Sequence, residues 1–182
     1  MLLKAAESLL VIVDVQERLA PVIHQRDQLI ARMRWLGEIA NELQVPVIVT
    51  EQYPKGLGIS VPDLAGVIEN ARVVEKIHFS AVQEPNFSDA LDEIKPKQII
   101  LMGMEVHVCI LQTAVELQQR GYQVYVVEDA VGSRRPSDKE TALSRLRQAG
   151  ICVISSEMAA YEWLHRGATD QFRHITKNWI RG

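Results

Sequence analysis

Three residues of this chain, Asp14, Lys76 and Cys109, have side chains that together could run acyl-transfer chemistry. A thiol can attack a carbonyl carbon as the thiolate. A carboxylate can take the thiol proton and later hand it to a departing amine, while an ammonium holds that carboxylate in place by charge and hydrogen bonds. Each type is common by itself: a strand-terminal Asp is usually a loop residue, a lone Lys a solvated charge, a free Cys core packing. Their positions relative to the secondary structure make the case. Cys109 follows the apolar run Gln98 to Met102 and the turn at Gly103, close to where a helix should begin. Unpaired N–H groups and the positive end of a helix dipole converge at such a site, so a thiol of ordinary pKa about 8.5 is expected to be acidified there. The same N–H groups could receive a developing oxyanion.

The elements that must position these residues alternate between two periods. Ser8 to Asp14 is continuously apolar and ends in a carboxylate, as a doubly covered parallel strand does at its open end. Arg26 to Leu43 carries Leu29, Ile30, Met33, Leu36, Ile39, Ala40 and Leu43 at helical spacing. Strands follow at Pro46 to Thr50, Arg72 to Lys76, Gln98 to Gly103, Tyr122 to Asp129 and Ile151 to Ile154. Helices are expected over Asn86 to Ile94, capped by Asn86, from the Cys109 region to Gly121, over Ser137 to Gln148, and from Ser156 to Trp179 with a break near Gly167. Between the second and third strands lies a Gly- and Pro-rich connection, Glu51 to Asn70, of a length that usually serves function.

Such alternation predicts one α/β domain over residues 1–182: a three-layer, Rossmann-like arrangement with a mainly parallel sheet of about six strands. Asp14, Thr50 with Glu51, Lys76, Gly103 and Asp129 all fall at strand carboxyl ends and should line the ligand crevice. No Gly-x-Gly-x-x-Gly turn or P-loop follows any strand, so no cofactor is expected. A net charge of -3 with scattered basic residues argues against nucleic acid, and Arg134-Arg135 reads as a solvated loop. Neither a signal-peptide pattern nor a membrane-length apolar run is present, which points to the cytoplasm, reduced thiols and no disulfide. Cys152 sits in an apolar strand and reads as inert core. His107, two residues before Cys109, should face away from the thiol and take a structural or pocket role. Trp163 and Trp179 in the tail either present an apolar surface to a second copy or pack on the chain's own sheet.

On Val11-Ile12-Val13-Asp14-Val15-Gln16, Lys76, Gly103 to Ile110 and Gly121-Tyr122 before Val126 to Ala130, the chain resembles the isochorismatase-like hydrolase superfamily over nearly its whole length. Thr50-Glu51-Gln52-Tyr53-Pro54 and Leu57-Gly58 bring it closest to isochorismatase-domain hydrolases of unassigned substrate. The resemblance implies that Asp14, Lys76 and Cys109 are a catalytic triad, that the Met104–Glu105 peptide is cis, that the N–H groups of Glu105 and Cys109 form an oxyanion hole, and that Gln16 lines the pocket. It also implies a homo-oligomer. Metal-binding nicotinamidases carry an Asp-x-His segment where this chain has Thr50-Glu51-Gln52-Tyr53, so no metal is expected. True isochorismatases lack the cysteine, and Cys109 therefore argues for C–N cleavage in a small amide-type substrate. Gln52, Tyr53, Leu57, Phe79 and Val106 are the expected specificity residues. Two other roles are compatible with these residues: a catalytically silent binding or assembly module, and a redox thiol at Cys109.

Overall fold

The structure, a computed structural model, describes residues 1–180. Six strands form one all-parallel sheet: β1 (Ser8–Val13), β2 (Val47–Gln52), β3 (Arg72–Lys76), β4 (Gln98–Met104), β5 (Gln123–Gly132) and β6 (Cys152–Ile154), in the order β3-β2-β1-β4-β5-β6. The order reverses between β1 and β4, where successive connections leave in opposite directions and a crevice opens at the carboxyl ends. Both central strands are buried along their whole length, which is why they read as unbroken apolar runs.

Helices α1 (Arg26–Glu42), α2 (Pro54–Leu57), α3 (Ala65–Ile68), α4 (Pro85–Ile94), α5 (Leu111–Gln119), α6 (Pro136–Gln148), α7 (Ser156–Leu164) and α8 (Asp170–Ile175) lie between and after the strands among the described residues. The first packs with α3 and α7 over one face of the sheet, and α5 with α6 over the other. Right-handed crossovers require this division. No helix among the described residues is long and apolar enough to cross a membrane.

Several local expectations are corrected. The long connection is not a bare loop: β2 runs on to Gln52, and α2, a 3-10 turn at Pro62–Leu64 and α3 follow. Helix α4 starts at Pro85 rather than after an Asn86 cap, because proline suits the first helical position. The residue before it, Glu84, does not cap the helix; its carboxylate accepts from Ile77 N–H and His78 N–H. Strand β5 outruns its expected end at Asp129. Its register against β4 slips, Leu101 pairing with Val126 but Gly103 with Val131, so two steps on β4 match five on β5. The surplus length carries Asp129 out of the crevice, where its oxygens accept from Ser156 N–H (2.7 Å), Ser156 Oγ (2.6 Å) and Arg32 Nε (3.1 Å). It ties α7 to α1.

Cys152 opens the short edge strand β6 and is exposed, not core. Both tail tryptophans pack on their own chain: Trp163 donates to Ser8 Oγ, and Trp179 to Glu38.

Candidate active site

At the switch point β1 is followed directly by Asp14, whose φ of 54° turns the chain sharply just past the strand. The carboxylate is fully buried. Thr50 Oγ1, from the adjacent β2, donates to Oδ1 at 2.7 Å, and Lys76 Nζ lies 2.8 Å from Oδ2. Neither side chain of the ion pair has any solvent exposure. Lys76 reaches this position from β3, passing β2, because Gln52 pairs beside it in register. Its ammonium also donates to Gln52 Oε1 (2.6 Å) and to the carbonyls of His78 and Phe79 (3.2 Å each). With four oxygens around it, the buried cation is held in one place.

Cys109 approaches from the other side of the switch point. Gly103, at φ 123°, passes so close to β1 that a Cβ there would overlap Val13 O. Only glycine allows that approach. The Met104–Glu105 peptide is cis, and residues Val106–Ile110 form a π-helical turn before α5. Cys109 is the fourth residue of that turn, 6% exposed, within hydrogen-bonding reach of Asp14 and Lys76. Its neighbour His107 points elsewhere, with Nδ1 2.9 Å from Ser133 Oγ.

The expected acidic thiol is not what this environment produces. Burial, followed by the negative charge of Asp14, pushes Cys109 up to about 12, against a smaller opposing pull from Lys76. Burial likewise pushes Asp14 above the usual carboxylate range, opposed by Lys76 and Thr50. The first turn is π-helical and closed to water, so the desolvation cost of the thiolate outweighs any dipole benefit. In the resting site the sulfur keeps its proton beside the Asp14 carboxyl group.

This has a consequence for stability. The folded thiol keeps its proton while the unfolded chain ionises above the reference value of 9.0, so the contribution is present below that pH and is lost as pH rises toward about 12. Wild type is therefore expected to lose about 2–4 kcal/mol relative to Cys109→Ser between pH 8 and 11–12. Urea unfolding of both proteins across that range measures it; parallel pH curves would contradict the buried, protonated thiol.

Gln16 is fully buried and does not face an open pocket. Its Nε2 donates to the carbonyls of Gln52 (3.0 Å) and Gly58 (2.7 Å), and its Oε1 accepts from Gln52 N–H (2.7 Å). It fastens residues 52–58 to the end of β1. Gln52 itself is turned toward Lys76, its Nε2 donating to Ile77 O at 2.8 Å. Tyr53 and Phe79 are more than half exposed and Leu57 partly so, whereas Val106 is completely buried. A recess of about 400 Å³ between Tyr53, Pro54, Glu75, Ile77 and Glu84 opens beside Lys76, and Cys109 is not among its lining residues. Among the described residues no three His, Cys, Asp or Glu side chains cluster tightly enough to hold a metal ion.

Arg134, expected in a solvated loop, is indeed mostly exposed, yet it has a partner. Its backbone N–H (3.0 Å) and Nε (3.1 Å) both donate to Glu105 Oε2, on a side chain only 9% exposed. No periodicity could have signalled this, since the pairing depends on the slipped register of β5.

Sheet order and a polar cluster sealed at the switch point define the class, a doubly wound α/β protein with its candidate site at that point. The Isochorismatase domain model matches residues 8–158, and the chain belongs to the isochorismatase family. Isochorismatase domain-containing protein 2 of Danio rerio is 37% identical over 170 residues, covering 93% of this chain and 85% of its own. Among solved structures, MAR1 ribonuclease from Caenorhabditis elegans superposes with a TM-score of 0.91 at 37% identity, over 97% of this chain and 91% of that one. YcaC of Escherichia coli, described as an octameric hydrolase of unknown specificity, shares the fold with a TM-score of 0.88 at 23% identity, over 100% and 92%.

Proposed function

We propose that the protein is a cysteine hydrolase that cleaves the C–N bond of a small amide-type metabolite through a thioester acyl-enzyme. The observation that carries this reading is the fully buried Asp14–Lys76 pair beside the Cys109 thiol. A buried ion pair is a poor way to gain stability, because desolvation offsets most of the attraction. Kept next to a nucleophile, it has a chemical use.

Asp14 takes the thiol proton as sulfur bonds to the carbonyl carbon, and the carbonyl π electrons move to oxygen. The oxyanion is received by the N–H groups of Glu105 and Cys109. Collapse of the adduct breaks the C–N bond, with the proton on Asp14 passing to the leaving nitrogen. Water then attacks the thioester with Asp14 again as base; the C–S bond breaks and the thiol is re-formed. Lys76 stays charged throughout and fixes the carboxylate. The nematode neighbour's ribonuclease description belongs to that protein. In this site the ammonium is already committed to Asp14 and Gln52, which leaves it poorly placed to neutralise a phosphodiester.

The test is a panel of small primary amides, followed by acid-quenched intact mass spectrometry and ammonia release. An acyl mass on Cys109 that hydroxylamine removes, absent from Cys109→Ser, is expected. Ammonia release equal in wild type and Cys109→Ser across the panel, without any adduct, would leave the binding-module alternative in its place.

A further inference from the structure

The segment 105–109, which carries both proposed oxyanion donors, is gripped at two points by consecutive residues that follow β5. Ser133, 2% exposed, holds His107 through its Oγ, and Arg134 holds Glu105 through its backbone N–H and its Nε. The last residues of β5 reach this position by the register slip that pairs Val131 with Gly103 and Gly132 with Met104. Ser133 is itself anchored, its carbonyl accepting from His24 N–H at 3.1 Å. One grip holds the residue just before the turn and the other its second residue, two before the sulfur. Sequence and packing alone do not require a charge here: Arg134 is mostly exposed, and its partner carboxylate is the buried member.

That carboxylate belongs to the residue whose N–H is to receive negative charge. An unpaired anion beside a developing oxyanion opposes it, the more so where water is excluded. We propose that Ser133 and Arg134 form a clamp that sets the oxyanion-binding turn, with Arg134 as a positioning residue that both orients Glu105 and neutralises its carboxylate. The proposal rests on the cysteine-hydrolase reading given above. It assigns Arg134 an effect on the step that builds charge on oxygen, and none on the thiol, which Asp14 and Lys76 govern.

A small aldehyde separates the two. Cys109 Sγ adds to the carbonyl carbon while the thiol proton passes to Asp14 and the carbonyl π electrons move to oxygen, giving a reversible thiohemiacetal whose anionic oxygen occupies the oxyanion position. Capture of propionaldehyde is measured by titration in wild type, Arg134→Ala, Arg134→Lys and the double variant Glu105→Gln/Arg134→Ala, with the iodoacetamide rate at Cys109 followed in each. Arg134→Ala is expected to weaken capture about tenfold, less than the roughly 10²–10³ lost when an oxyanion donor is removed outright, while alkylation stays within about twofold. The lysine variant and the charge-free double variant should each recover most of the loss. Wild-type capture that Arg134→Ala leaves unchanged overturns the clamp alone. Equal losses in capture and alkylation, or no recovery in the double variant, also overturn it, since they describe general damage. A wild-type protein that captures no aldehyde removes the cysteine-hydrolase reading and the clamp with it.

Discussion

Asp14→Asn is expected to make Cys109 easier to alkylate and, at the same time, to abolish amide turnover. The negative charge of Asp14 is the second cause, after burial, that keeps the thiol protonated up to about 12, and Lys76 pulls the other way. Replacing the anion by a neutral amide leaves the cation unopposed beside the sulfur. Thiolate at a given pH should rise by a factor of about ten for each unit by which the thiol falls. At pH 8 the iodoacetamide rate at Cys109 should therefore increase at least about tenfold. Turnover should drop by roughly 10²–10⁴, the range for losing a positioned acid–base. The two readouts moving in opposite directions are diagnostic. Had the sulfur been ionised by Asp14 in the resting enzyme, the same substitution would slow alkylation. Peptide-resolved mass spectrometry is needed, because exposed Cys152 competes for the reagent.

Lys76→Met should be the most destabilising single change at the site, at about 3–5 kcal/mol, because it strands a buried carboxylate without its cation. Asp14 would be pushed further above the ordinary carboxylate range, the direction in which burial already drives it. The double variant Asp14→Asn/Lys76→Met, with no buried charge left, should recover at least half of that loss while remaining inactive. Urea unfolding of the single and double variants at pH 7 gives the comparison. A cost below about 1 kcal/mol for Lys76→Met would mean that water reaches the pair, and the dry ion pair on which the mechanism depends would have to be abandoned.

Much of the architecture was legible because buried parallel strands announce themselves. The unbroken apolar stretches from Ser8 and from Gln98 became the two central strands, and the helical spacing after Arg26 became α1. Edge elements were harder. Cys152 lies in an apolar run yet is exposed, since β6 has only three residues and one neighbour, and periodicity says nothing about which side of a sheet stays uncovered. Proximity of the three chemical residues could be anticipated from strand ends, because in a parallel sheet those ends converge. Their electrostatics could not. Whether a thiol at a strand-to-helix turn is acidified or silenced depends on how much water reaches it, and that is decided by side chains distant in sequence. The same holds for Gln52 and Arg134, whose partners are 24 and 29 residues away.

The three chemical groups do not stand on equally firm ground. Asp14 and the turn bearing Cys109 hang from β1 and β4, each bonded on both sides, but Lys76 ends β3, the outermost strand, five residues long and paired only with β2. Fraying of that margin withdraws the cation while the centre of the sheet stays whole. On the proposed mechanism, such an opening would disarm the protein without unfolding it.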